Sequence, residues 1–182
     1  PVADAFMASA KFVRGIRGPI GSGKSTACCA EIIKRATAQR PGPDGKRRSR
    51  WAVIRNTYPE LKTTTIKTWH GLVPQQIGRW VDQGPPTHYV EFGDVELEVL
   101  FIALDSLADV RKLLSLELTG LWINESKFIP KSILDGATGR ELARAPWPGR
   151  TVGSGTEFTP QTYMGDFKWL NWGNDDTNPI RS

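Results

Sequence analysis

Gly18-Pro19-Ile20-Gly21-Ser22-Gly23-Lys24-Ser25 is the stretch that decides how this chain is read. It matches G-x-x-x-x-G-K-[ST], a pattern that carries weight only where a strand leads into it and a helix leaves it. Both neighbours are predicted. Residues 11–17 alternate Val13 and Ile16 with basic positions, as a strand would, and residues 25–39 are rich in Ala, Ile, Lys and Glu, as a helix would be. In that setting the backbone N–H groups of Gly21, Ser22, Gly23 and Lys24 can turn toward one phosphate, because glycine tolerates the angles required and a helix N-terminus adds partial positive charge. Lys24 is then expected to contact the β- and γ-phosphates of a nucleoside triphosphate and Ser25 to hold Mg²⁺, with Gly18, Pro19, Ile20 and Thr26 completing the loop. A glycine-rich turn with a chance lysine is the competing reading, and the strand–helix context disfavours it.

Working outward, Pro41-Gly42-Pro43-Asp44-Gly45 ends the helix, and residues 51–55 (WAVIR) read as a second buried strand. Residues 57–69 read as irregular helix: Pro59 and Glu60 suit a first turn, while Thr63-Thr64-Thr65 has poor helix propensity. Residues 88–92 and 95–103 alternate about Gly93-Asp94, which predicts a β-hairpin. A short helix over 107–116, a buried strand over 118–123 and a helix over 130–143 follow, whereas Gly, Pro, Thr and Trp blur the pattern over 145–174. Strands alternating with helices predict an α/β fold, a P-loop NTPase-like three-layer domain with a mostly parallel central sheet flanked by helices. At 182 residues and 39% hydrophobic, the chain suits a single domain spanning 1–182.

A second motif, Leu121-Trp122-Ile123-Asn124-Glu125, is an apolar strand ending in a carboxylate. In a P-loop domain a strand beside the first brings acidic groups to the phosphates, one helping to hold Mg²⁺ and the next orienting the attacking water. Glu125 is the candidate for the water; the alternative is a surface glutamate at a strand end. Asn124 stands where an aspartate is expected, and its amide can accept hydrogen bonds from metal-bound water but brings no negative charge to Mg²⁺. Arg17 and Arg111 are candidates for neutralising charge at the γ-phosphate, in cis or from a neighbouring subunit, against the alternative of solvated surface arginines. Phe12 and Arg14, just before the loop, are candidate adenine contacts.

Other features set bounds. The net charge is +5, and Arg40, Lys46, Arg47, Arg48 and Arg50 crowd one stretch, which suits a polyanionic partner or a solvated loop equally. No window approaches the roughly 20 apolar residues of a membrane span, no signal peptide is recognisable, and the default compartment is the cytoplasm. Cys28 and Cys29 are adjacent, without the spacing of a disulfide framework or a zinc site, and read as small core residues.

These residues resemble the large terminase subunits of tailed bacteriophages, in their N-terminal ATPase domain. The resemblance rests on RGIRGPIGSGKS (14–25), WAVIRNTYPELKTTTIKTW (51–69), VELEVLFIALD (95–105), KLLSLELTGLWINES (112–126) and DTNP (176–179). It implies an ATP-hydrolysing motor that assembles as a homo-oligomeric ring on the portal protein, works with a small terminase subunit and pumps double-stranded DNA into a procapsid in the host cytoplasm. It puts the Walker A role on residues 18–25, the catalytic glutamate on Glu125, and a coupling segment that senses the γ-phosphate on Thr177 and Asn178. Arg17 matches an arginine that family members often carry before the phosphate loop, and Arg111 weakly matches an arginine acting in trans. The family's RNase H-like nuclease domain follows the ATPase domain and is expected to be absent from this sequence. Two other readings stay open: a P-loop kinase or helicase-like ATPase outside packaging, and a nucleotide-binding module with little turnover.

Overall fold

Residues 51–54, 99–102 and 120–123 are buried without a break, although successive strand residues point to opposite faces. Both faces of these strands are therefore covered, which is why they read as continuous apolar runs. The structure, a computed structural model, describes residues 2–9, 13–16, 18–105, 107–125 and 163–165.

In chain order the elements are α1 (Val2–Ala8), β1 (Val13–Gly15), α2 (Lys24–Thr37), β2 (Arg47–Arg55), α3 (Tyr58–Glu60), a π-helix (Leu61–Ile66), α4 (Lys67–Leu72), β3 (Arg79–Val81), β4 (Thr87–Phe92), β5 (Val95–Ala103), α5 (Leu107–Leu114), β6 (Gly120–Ile123) and β7 (Tyr163–Gly165). Among the described residues the strands form a seven-stranded sheet in the order β1-β7-β6-β2-β5-β4-β3. Pairs from β1 through β5 in that order are parallel, and β5–β4 and β4–β3 are antiparallel. The fold is thus a mixed α/β sheet flanked by helices: the expected parallel body is joined to the expected hairpin, which extends it.

One face of the sheet presents Trp51, Val53, Val99, Phe101 and Trp122 to Cys28, Cys29, Ile32 and Ala36 of α2 and to Leu61, Ile66 and Trp69 of the helical segment after β2. The buried α2 residues recur at helical spacing, so one stripe of that helix meets the sheet. Cys28 and Cys29 are core residues as expected, and burial pushes the Cys29 thiol up to about 12.

Three sequence expectations change. β2 begins at Arg47 rather than Trp51, so much of the basic stretch is strand and not loop. The irregular helix over 57–69 is a short α-turn, a π-helix containing the three threonines, and a second α-turn. β3 and β7 have no counterpart in the sequence reading, and β7 falls within the blurred stretch. The helix expected over 130–143 lies outside the described residues.

Candidate functional site

Because β1, β7, β6, β2 and β5 run parallel, their C-terminal ends share one edge of the sheet, where α/β folds place ligands. The loop of residues 18–23 leaves β1 at that edge, and Asn124-Glu125 leave β6 there. The strand carrying Glu125 was expected beside β1, but β7 lies between them. At a strand spacing of about 4.8 Å, β1 and β6 lie about 10 Å apart with β7 filling the interval.

The loop is built around two left-handed glycines, Gly21 and Gly23, both at φ 78°. A side chain would be strained at either position. Ser22 N donates to Pro19 O at 3.3 Å, closing the turn, and Gly23 is the N-cap of α2 without a side-chain hydrogen bond. The first N–H groups of a helix have no intrahelical acceptor, and here the N-cap offers them no side chain, so the arrangement suits an anion. Lys24 opens α2 and folds back over the loop, its Nζ donating to Gly18 O at 3.1 Å and Pro19 O at 2.9 Å and lying 3.5 Å from Ser22 Oγ. A phosphate would compete with neutral acceptors for that ammonium. Ser25 and Thr26 occupy the first turn of α2, and Ile20 is fully exposed at the loop tip.

At the end of β6, Asn124 is 4% exposed. Its backbone N donates to Ile54 O at 2.8 Å, and its Nδ2 donates to Thr65 Oγ1 of the π-helix at 2.8 Å. The side-chain nitrogen is therefore committed to Thr65, leaving Oδ1 as the group of Asn124 suited to a cation-bound water. Glu125 has φ 54°, a conformation uncommon for residues other than glycine and concentrated at functional sites. Thr65 is the site neighbour that sequence reasoning missed; its only signal was the threonine run, read as poor helix propensity.

Arg14, a candidate adenine contact, has another role. It is 2% exposed and donates from Nη1 to Glu31 Oε1 at 2.6 Å and to Phe6 O at 3.1 Å, with its guanidinium 5.1 Å from the Phe6 ring. The side chain ties α1 and β1 to α2 and is committed to the interior. Arg111 belongs to α5. Phe12, Arg17, Thr177 and Asn178 lie outside the described residues.

Four cations of the basic stretch, Lys46, Arg47, Arg48 and Arg50, face carboxylates. Arg47 Nε lies 2.7 Å from Asp94, Arg48 Nε 2.8 Å from Glu96, Arg50 Nε 2.5 Å from Glu98, and Lys46 Nζ 3.8 Å from Glu96. Arg48 also reaches Asp44, and this hydrogen bond, helped by the Lys46 backbone N–H, holds the Asp44 carboxyl down to about 2. Parallel pairing of β2 with β5 aligns Arg48 with Glu96 and Arg50 with Glu98, which turns a run of cations into a neutralised ladder.

No protein-family model and no curated protein matches the sequence. Solved structures match its fold. The large terminase from a thermophilic bacteriophage aligns at TM-score 0.59 and 14% identity over 87% of this chain and 34% of its own. The same terminase in complex with ADP aligns at TM-score 0.56 and 15% identity, over 91% and 34%. The large terminase ATPase domain of a Thermus phage aligns at TM-score 0.52 and 21% identity, over 78% and 59%. The fold is thus similar to that of the large terminase ATPase domain, and the chain spans about a third of the length of the first of these proteins.

Proposed function

We propose that this chain is the ATP-hydrolysing part of a DNA-packaging motor, acting as a large terminase ATPase domain with a three-layer P-loop arrangement. The observation that carries the reading is the loop of residues 18–23 entering the uncapped N-terminus of α2, with Lys24 folded into it. The fold likeness supports it, since the matched large terminase has been solved with ADP and with ATP-γ-S.

In this reading the loop N–H groups and Lys24 hold the β- and γ-phosphates, and Glu125 orients the water that attacks the γ-phosphorus in line. Developing charge on the γ-phosphoryl oxygens is met by Lys24 and the α2 N-terminus, with Arg17 or Arg111 as further cations and Thr177 and Asn178 as the γ-phosphate sensor. In this reading Mg²⁺ would be held by the phosphate oxygens, water and Ser25 Oγ, with Asn124 Oδ1 accepting from a metal-bound water and bringing none of the charge of the carboxylates Mg²⁺ usually takes. When bound it would neutralise charge shared by the β- and γ-phosphates.

The polymer partner in this reading is double-stranded DNA, with a portal protein, a small terminase subunit and further copies of the chain in a ring. Support for a polyanion comes from Lys62 and Lys67, both exposed on a groove of about 400 Å³ whose lining also includes Tyr58, His70, Trp80 and one carboxylate, Asp82. No helix among the described residues is long and apolar enough to cross a membrane.

The decisive test compares ATP hydrolysis by the parent and Lys24→Ala. Loss of hydrolysis with the fold retained is expected, and parental turnover in the variant would reject the site. The neutral Asn124 favours one other reading, a nucleotide-binding module with little turnover. Tight ATP binding without phosphate release, with release gained in Asn124→Asp, would select it.

A further inference from the structure

We propose that Thr65 is a positioning residue for hydrolysis, acting through Asn124 on the carboxylate of Glu125; this rests on the reading of Glu125 as the group that orients water. Thr65 is fully buried on the inner side of the π-helix, and its Oγ1 accepts from Asn124 Nδ2 at 2.8 Å. Residue 124 is thereby held twice, by its backbone N on Ile54 O of β2 and by its side chain on the helical segment that follows β2.

The next residue, Glu125, turns into the left-handed region at φ 54°. Such a conformation persists where the surroundings over-determine it. The Thr65 bond is a side-chain contribution to that restraint: its loss would leave the Asn124 side chain unanchored on the helical segment and let the turn at Glu125 shift, which re-aims the Glu125 side chain.

The π-helix explains how one threonine of three comes to serve this purpose. Thr63 Oγ1 donates to Pro59 O at 2.8 Å and Thr64 Oγ1 to Glu60 O at 2.6 Å, so both hydroxyls turn back to carbonyls of α3, with Thr64 Oγ1 also 3.4 Å from Thr65 Oγ1. Thr65 alone of the three is buried, and it meets β6. π-helical turns are rare and recur at functional sites.

The experiment measures steady-state ATP hydrolysis, ATP-γ-S affinity and thermal midpoint for the full chain and for Thr65→Val, Thr65→Ser and Glu125→Gln. Valine keeps the shape and removes the acceptor. In Thr65→Val, kcat should fall about 10- to 100-fold, the cost of misplacing a reacting group, while KM and ATP-γ-S affinity stay near parental; Thr65→Ser should restore kcat. A purely structural bond would lower the thermal midpoint without separating kcat from KM. Should Thr65→Val fail to fold, Thr65→Cys, a weaker acceptor of similar size, is judged by the same split. Parental kcat in the acceptor-weakened variant, or equal loss in Thr65→Ser, overturns the proposal. If Glu125→Gln abolishes hydrolysis and Thr65→Val does not, the proposal alone falls. If Glu125→Gln leaves hydrolysis intact, or the parent binds ATP-γ-S without hydrolysing ATP, the reading of the site falls with it.

Discussion

Arg14 and Glu31 form a buried ion pair, Nη1 to Oε1 at 2.6 Å, directly behind the phosphate-loop candidate. Arg35 Nε meets the same oxygen at 2.6 Å, and Arg35 Nη2 donates to Ser9 O at 2.9 Å. Arg14 is on the strand that enters the loop and Glu31 on the helix that leaves it, so the pair braces both sides. Burial lowers the Arg14 pKa despite the opposing hydrogen bond to Glu31. Glu31→Ala leaves that buried guanidinium without its carboxylate, and a loss of about 3–5 kcal/mol is expected in urea unfolding. The triple variant Arg14→Met, Glu31→Leu, Arg35→Met should lose much less, because it leaves neither guanidinium facing the missing carboxylate, and Arg14 Nε and Nη2 are already buried without acceptors.

Gly120 is expected to reject a methyl group. It pairs with Trp51 across β6 and β2, and a Cβ there would lie 2.4 Å from Cζ3 of the buried indole. Overpacking of this kind costs about 1–3 kcal/mol. Gly120→Ala should therefore lower the denaturation midpoint, and combining it with Trp51→Leu should recover part of its own cost. Additive losses in the double variant would show that the clash is not the cause.

Stability should decline on mild acidification because of His88. Trp69 Nε1 donates to His88 Nδ1 at 2.9 Å, which fixes the neutral tautomer with Nε2–H donating to Ile77 O at 2.7 Å. Burial lowers the His88 pKa, the Ile77 carbonyl opposes this, and His70, whose ring centroid is 5.5 Å away, adds to it. The unfolded chain takes up the proton near pH 6.5 and the native state only at lower pH. The stabilisation is thus fully present above about pH 6.5 and is lost as pH falls from there toward the folded pKa. Urea midpoints at pH 7.5 and 5.5 should differ in that direction, and by less in His88→Gln.

If DNA binds, its phosphates should report on Lys62 and Lys67 rather than on the arginines of β2. Each phosphate contact contributes about 0.9 to the slope of log K against log salt. The double variant Lys62→Gln, Lys67→Gln should flatten that slope by about 2 if both lysines make such contacts. Arg48→Gln should change it little, since Arg48 already faces Asp44 and Glu96. The reverse pattern would return the nucleic-acid surface to the basic stretch.

The main elements were legible because their signals are local. β2, β5 and β6 carry unbroken apolar runs, α2 carries a helical stripe bounded by glycine and proline, and the β4–β5 hairpin turns at Gly93-Asp94. β7 was not legible: three residues leave no periodicity to read, and its pairing with β1 and β6 is entirely non-local. The π-helix was visible only as an awkward threonine run, since propensity reports that an α-turn is disfavoured without saying what replaces it.

The phosphate-loop candidate was determined by sequence alone, because glycines at φ 78° and a lysine at the helix start are required by residues adjacent in the chain. What tertiary structure decided was everything that depends on partners distant in sequence. Glu96 and Glu98 neutralise Arg48 and Arg50 of β2, Glu31 withdraws Arg14 into the interior, β7 separates β1 from β6, and Thr65 holds Asn124 across 59 positions. The physical reason is the same in each case: charge, burial and hydrogen-bond direction belong to pairs of groups, and composition names only one member of each pair.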